Sequence, residues 1–390
     1  MRITIVMGFF LPVPPVQGGA TEKSWDRLAR LLAERGHDVT VISRRWPGWA
    51  DEETRDGVRH LRIGGFNHRR TLGLNLALDA VWSLRVARQL PAADIAIVHA
   101  VTLPLLLRGR LRKRSKLVLM PGRMPKGQYR LYRNVDRVLA TSCVVRDQIF
   151  RENASLAPNI RVVGYPIDCS ALSRIRRKKA ATAPITIGYV GRLHPEKGVG
   201  LLAEAAVRLQ ATAGLPDWEL TLCGPTEVSA GGGGPKYITG IRTLLSEKLP
   251  AGRWRIEPPC FQADELAKLY GSIDMFCYPS LAAQGETFGV AVAEAMAAGA
   301  VPVVSSLACF RDLVEDGISG RVFDHEGPDP AGRLAEAIGG LLRQAPNERM
   351  KMQAAASAVA HRYDYPRYAD SLATDLESLL ATEAETARKA

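Results

Sequence analysis

Residues 274–299 read DMFCYPSLAAQGETFGVAVAEAMAAG. Asp274–Tyr278 is a short apolar run ended by Pro279-Ser280, the signature of a buried strand leaving its sheet. A loop follows, and Glu286-Thr287-Phe288-Gly289 leads into a helical stretch that runs through Met296. A second apolar strand, Val301–Ser305, comes next. Strand, helix, strand is the unit from which parallel sheets are built. The free N–H groups of the helix's first turn, near Phe288, Gly289 and Val290, form an anion site suited to a diphosphate, with Gly289 allowing close approach to the backbone. Glu286 and Glu294 lie just before and inside the helix; their carboxylates suit sugar and ribose hydroxyls. Read singly, they are a helix-capping acid and a surface acid.

The same alternation extends outward in both directions. Before this stretch, strands are expected at Thr186–Val190, Glu219–Cys223 and Trp254–Glu257, and after it at Arg321–Phe323, with Pro328–Ala390 largely helical. The first half offers strands at Ile3–Met7, Asp38–Ser43, Val58–Ile63, Ile95–His99, Leu117–Met120, Arg137–Ala140 and Ile160–Val163. Helical periodicity occupies Thr21–Arg35, Leu72–Leu90 and Leu103–Arg112. Gly164–Pro184, with its basic cluster, has linker composition, whereas the Gly-rich run Ser229–Gly234 is a flexible loop inside the second half. The expected fold class is α/β: two doubly wound Rossmann-like domains facing across a cleft, spanning 1–172 and 173–362, with the helix of 363–390 returning to the first. Ligands of such sheets bind beyond the carboxyl ends of the strands.

Three further groups sit at such ends. Gly188–Gly198 (GYVGRLHPEKG) closes a strand with Gly191, Arg192 and Lys197 around a Pro195 turn. Two fixed cations on one loop can neutralise a diphosphate leaving group, or are simply solvated charges. No Asp-x-Asp occurs in the chain, so no metal-carboxylate cradle is expected. Gly18-Gly19 precedes the first helix, where paired glycines suit a phosphate or a tight turn; no G-x-G-x-x-G follows the first strand, which argues against a dehydrogenase. His99 ends Asp94–His99, where an imidazole reaches a cleft and exchanges protons near neutral pH; a lone histidine is more often structural.

Composition sets the frame. The chain has 390 residues, 46% hydrophobic and 24% charged, as expected of a soluble globular protein, and no stretch approaches the length of a membrane span. The opening residues read as a buried strand, since no small-residue cleavage site precedes the first helix. Six scattered cysteines, without C-x-x-C, fit a reducing cytoplasm. Residues 1–180 hold 33 Lys and Arg against 14 Asp and Glu, and the remainder 19 against 26. The basic half implies an anionic partner (membrane lipid, phosphorylated acceptor or nucleic acid) or a solvated surface.

The motifs in this order resemble the retaining GT-B glycosyltransferases of family 4. The family's E-x7-E with its F-G turn and E-A-M-A-x-G helix is matched by Glu286, Phe288, Gly289, Glu294, Ala295, Met296, Ala297 and Gly299. Its G-R-L-x-x-E-K-G loop is Gly191–Gly198, its glycine pair is Gly18-Gly19, and a family-like tail is DGISGRVFD at 316–324. Cys223-Gly224-Pro225-Thr226 and Pro121-Gly122-Arg123 depart from the usual pattern. The resemblance implies a cytoplasmic, metal-independent hexosyltransferase that retains anomeric configuration, takes a nucleoside-diphosphate sugar (UDP from family frequency, GDP as the other option) and needs no cofactor. Arg192 and Lys197 would hold the diphosphate. Glu294 would hold the ribose, and Glu286 the transferred sugar beside the Phe288–Val290 backbone. His99 would stand near that sugar, and Gly19 would let the first domain close. The acceptor would be a glycan, a lipid-linked molecule or a small molecule. The arginine-rich Leu103–Lys116 and Leu72–Leu90 with Trp82 have the composition of interfacial helices, so peripheral attachment to the inner face of the plasma membrane is an expectation. A nucleotide-sugar epimerase on the same fold is the rival. A nucleic-acid-binding protein is the other, but no RNA- or DNA-binding module is recognisable.

Overall fold

The computed structural model describes residues 1–16, 19–107, 115–174 and 182–389, with side chains as far as Ala381. It divides into two compact units, Met1–Pro166 with Tyr365–Ala390, and Ile167–Asp364. The sequence-based division at 172/173 lies inside the second of these. Ile167 already bridges to Asp364, and the following short helix packs on two helices of the second unit.

The first unit is an eight-stranded sheet: β1 (Arg2–Val6), β2 (Asp38–Arg44), β3 (Glu52–Arg55), β4 (Val58–Ile63), β5 (Ile95–Val98), β6 (Lys116–Leu119), β7 (Arg137–Ala140) and β8 (Ile160–Val162). Their order is β3-β4-β2-β1-β5-β6-β7-β8, parallel except for the β3–β4 hairpin. β3, EETR, was not foreseen: it is a polar edge strand with no apolar alternation, the kind that blunts a sheet edge with charge. Strands β1 and β5 lie side by side while their connections run to opposite sides, so the carboxyl ends of these two mark the switch point where ligands gather.

Helix α1 (Ala20–Glu34) buries Trp25, Leu28, Ala29 and Leu32 at the 3–4 spacing of one face. Helix α2 (Leu72–Gln89) buries Asp79, Trp82, Ser83 and Val86. Trp82, noted in the sequence as part of an interfacial composition, is wholly buried. The described part of the helix expected at 103–112 is α3 (Leu103–Leu106), and its basic continuation at 108–114 lies outside the described residues. Helix α4 (Cys143–Glu152) was missed, although Ser142 caps it by accepting the Val145 N–H at 3.3 Å.

The second unit holds α5 (Cys169–Ser173), β9 (Ile185–Val190), α6 (Val199–Ala211), β10 (Trp218–Cys223), α7 (Pro235–Lys248), β11 (Trp254–Glu257), α8 (Ala263–Ser272), β12 (Met275–Tyr278), α9 (Val290–Ala297), β13 (Val301–Ser305), β14 (Arg321–Phe323), α10 (Pro330–Arg343) and α11 (Pro346–Ala360). The sheet is parallel throughout, ordered β11-β10-β9-β12-β13-β14. Sequence order reverses between β9 and β12, so the switch point falls at their carboxyl ends. Pro346 and the 361–364 turn break the closing helical segment. Helix α12 (Tyr365–Lys389) then belongs to the first unit, burying Tyr368, Leu372 and Leu376 and pairing Arg137 with Asp375 at 2.9 Å and Arg35 with Asp370 at 2.7 Å.

Candidate active site

The two loops at the second unit's switch point are those the sequence singled out. After β9, Gly191 N–H bonds Cys223 O at 3.0 Å and Leu193 N–H bonds Pro225 O at 3.0 Å, seating the loop on its neighbour strand. Residues 195–197 make one tight helical turn, and Gly198 closes it at φ +69°. A side chain there would collide with the Pro279 carbonyl, so glycine is what lets the two loops touch. Leu281 N–H donates to Glu196 O at 2.8 Å across the two loops, and Ser305 Oγ at the end of β13 holds Ser280 O at 2.6 Å.

At the seam Lys197 and Glu286 form a buried ion pair through Nζ and Oε1. The same Oε1 accepts from Tyr278 Oη at 3.1 Å and Ser280 Oγ at 3.0 Å. Among the described residues Oε2 takes no hydrogen bond. Glu286 therefore caps no helix. It is a carboxylate whose charge is fixed on one oxygen by three donors, with the other oxygen left to accept. Tyr278 stacks on Tyr189 with ring centroids 5.6 Å apart, and its ring lies 5.8 Å from Lys197 Nζ. Burial, then the nearby Glu286 charge, pushes the Tyr278 phenol up, keeping it a donor. Tyr278 and Ser280 are site residues the sequence reading passed over, because one reads as the last residue of a buried strand and the other as a turn.

Arg192 is held more loosely. Its guanidinium pairs with Glu196 at 2.6 Å and reaches Gly231 O at 3.2 Å, both partners of the ion pair being over 40% exposed. The glycine run of 231–234 is not a free loop: Gly233 N–H bonds Leu193 O at 2.8 Å and Gly234 N–H bonds Thr226 O at 2.9 Å, fastening it over the Arg192 turn. Gly289 starts α9 at φ +91°, and a side chain there would meet Phe310 at 2.8 Å. Packing of the turn, as much as ligand approach, demands glycine. Phe288 is buried with its ring 4.9 Å from Tyr363, so only its backbone is available to a ligand; Val290 begins the helix. Glu294 accepts from Tyr270 Oη at 3.0 Å on the side of α9 facing α8. The structure thus brings Gly191, Arg192, Lys197, Glu286, Phe288, Gly289, Val290 and Glu294 into one region of the second unit.

His99, Gly18 and Gly19 belong to the first. Gly18 lies outside the described residues. Gly19 opens α1 at φ +99°, against Leu11 and the Glu22 carboxylate. Glu22 is buried, and burial raises its carboxyl while its own N–H and Arg123 pull it down. An acid thus stands where the glycine pair had suggested a phosphate site, a feature that spacing alone does not reveal. His99 follows β5, its N–H bonding Val6 O at 2.9 Å and its ring edge-on to Trp25 at 5.2 Å. Both ring nitrogens are buried without a well-formed hydrogen bond among the described residues, the Met120 backbone only partly offsetting that burial. Burial lowers the imidazole to about 4.

The unfolded chain binds a proton at His99 near the ordinary value of about 6.5, above the folded value. The histidine therefore contributes full stability above about pH 6.5 and loses it as pH falls toward 4. On this basis His99→Gln costs less at pH 4.5 than at pH 7 by on the order of 2 kcal/mol in chemical unfolding, and a pH-independent difference contradicts the assignment.

Comparison with known proteins finds glycosyltransferases for both halves of the chain. Residues 184–344 match the family model "Glycosyl transferases group 1". Residues 18–171 match "Glycosyltransferase Family 4". A GDP-mannose-dependent alpha-mannosyltransferase of Mycobacterium tuberculosis is 26% identical, covering 86% of this chain and 88% of its own. A phosphatidyl-myo-inositol mannosyltransferase of Mycolicibacterium smegmatis is 27% identical, covering 94% and 90%. Sucrose-phosphate synthase from Thermosynechococcus elongatus has the same fold at TM-score 0.73 and 17% identity, covering 98% of this chain and 99% of that one. With each half matched by a glycosyltransferase family model and both sheets of the GT-B kind, the chain is a hexosyltransferase of GT4 type and GT-B fold.

Proposed function

We propose that this enzyme moves a hexose from a nucleoside-diphosphate sugar to a hydroxyl of a glycan or lipid-linked acceptor in the cytoplasm, with retained anomeric configuration and no metal. The observation that carries it is the Glu286 carboxylate, pinned on one oxygen by Lys197, Tyr278 and Ser280 and left with the other as an acceptor for sugar hydroxyls. The ammonium of Lys197 has three N–H donors, of which Glu286 takes one direction, leaving others for phosphate oxygens. The exposed Arg192–Glu196 pair is weak enough for the guanidinium to exchange to phosphate. The first-turn N–H groups of α9 add a further anion contact. Glu294 would take the ribose, and the resemblance puts His99 beside the transferred sugar.

In the reaction the acceptor oxygen bonds to the anomeric carbon as the bond to the β-phosphate oxygen breaks. The acceptor's proton passes to that leaving oxygen, and the nucleoside diphosphate departs. Arg192 and Lys197 act where negative charge grows, on the diphosphate. Two relatives spanning most of the chain are mannosyltransferases and one is named for GDP-mannose, which puts a GDP-sugar ahead of the UDP-sugar that family frequency favours.

Arg192→Ala and Lys197→Ala are each expected to slow transfer by on the order of 10²–10³. Full hydrolysis and transfer in both variants would sink the assignment. Tyr278→Phe keeps the ring stack and removes one hydrogen bond to a charged group, worth about 1.5–3 kcal/mol. It should lower kcat roughly ten- to a hundredfold and the melting temperature by on the order of 5 °C, leaving a folded protein. Wild-type kcat in this variant means that the phenol does not position Glu286.

A further inference from the structure

Helix α2 is built inside out. A helix lying on a sheet normally turns its leucines inward and its polar residues to water. Here the inward side carries Asp79 and Ser83 beside Trp82 and Val86. Asp79 is satisfied there by the Thr102 N–H at 2.7 Å and Oγ1 at 2.6 Å. The outward side runs Leu74, Ala77, Val81, Leu84 and Arg88, at successive spacings of three and four, and all five are exposed. Leu72 and Leu76 flank the stripe, Leu72 at 61% exposure. Leu106 is exposed on α3, which packs against α2.

Within residues 69–90 the exposed charges have one sign, while Asp51 and Glu52 line a cavity with Arg85 and Gln89 at the helix's C-terminal end. Arg69 and Arg70 stand exposed just before the helix and Arg88 in its last turn, while the single acid of residues 69–90, Asp79, is buried. An uninterrupted apolar stripe bounded at both ends by arginines and free of exposed acid matches the boundary between acyl chains and anionic headgroups. It does not match a solvated helix. We propose that the outward face of α2 docks on an anionic bilayer, with Leu74, Val81 and Leu84 entering the interface and Arg69, Arg70 and Arg88 on lipid phosphates. The surface lies wholly in the first unit and shares no residue with the proposed donor site, so it stands or falls independently of the transfer reaction. Among the described residues no helix is long and apolar enough to cross a membrane, so the contact is a surface one.

The test is flotation of the full chain with phosphatidylglycerol–phosphatidylcholine vesicles and with phosphatidylcholine alone, at low salt. Binding is expected on the anionic vesicles and about tenfold less on the neutral ones, falling as salt rises. The combined variant Leu74→Gln, Val81→Gln, Leu84→Gln should lose about tenfold in vesicle binding, and Arg69→Gln with Arg70→Gln several-fold. Both should keep the wild-type melting curve and the wild-type shift on adding GDP or UDP, which confirms that they fold. Absence of wild-type flotation overturns the proposal, as does undiminished flotation of the leucine–valine variant. So does a dimer, seen by size exclusion and abolished by that variant, in a protein that ignores vesicles.

Discussion

The buried pairing of Lys197 with Glu286 is the constraint on which the second unit is organised. Two opposite charges out of water are tolerable only when geometry and extra hydrogen bonds compensate their lost hydration. Tyr278 and Ser280 provide those bonds on the same carboxylate oxygen. The pair lies where it does because sequence order reverses between β9 and β12, which sets the loops of residues 191–198 and 279–289 side by side. Gly198, pressed on the Pro279 carbonyl, removes the last steric obstacle.

From that seam the surrounding features follow. The Tyr189–Tyr278 stack fixes the phenol under the carboxylate, Phe288 against Tyr363 anchors the turn into α9, and Gly289 allows the left-handed backbone that starts it. Arg192, by contrast, is exposed and bound only to Glu196 and the Gly231 carbonyl. The contrast divides the labour: a fixed cation that is part of the scaffold, and a looser one able to follow a ligand. The first unit is arranged differently, with a buried neutral imidazole at His99 and a buried acid at Glu22 near the carboxyl edge of its sheet.

Much of this was legible in the chain. A strand buried on both faces announces itself as an apolar run, as Val301–Ser305 does; it and the half-buried edge strands Trp254–Glu257 and Arg321–Phe323 were placed to the residue. Glu286, Arg192 and Lys197 were marked because ligands gather beyond the carboxyl ends of parallel strands and because their loops match motifs of a known family. What could not be read was pairing across sequence distance. Nothing local in Lys197 says that its partner is 89 residues on, nor in Tyr278 that its hydroxyl is the third donor. The polar edge β3 escaped because it buries nothing, and composition alone did not say which face of α2 carries Trp82, which the structure turns inward. Glu22 was missed because its burial depends on packing around Gly19 that spacing does not encode.

A double-substitution cycle on Lys197 and Glu286, read as affinity for GDP or UDP by calorimetry, tests the organising role of the pair most directly. The free nucleotide lacks the transferred sugar proposed for Glu286, so an effect of Glu286→Gln that vanishes without Lys197 is one that acts through Lys197. The account predicts that Glu286→Gln weakens nucleotide binding about tenfold in the wild-type background and hardly at all in the Lys197→Met background, a coupling of about 1–2 kcal/mol. Equal losses in the two backgrounds, or no loss in either, would contradict it.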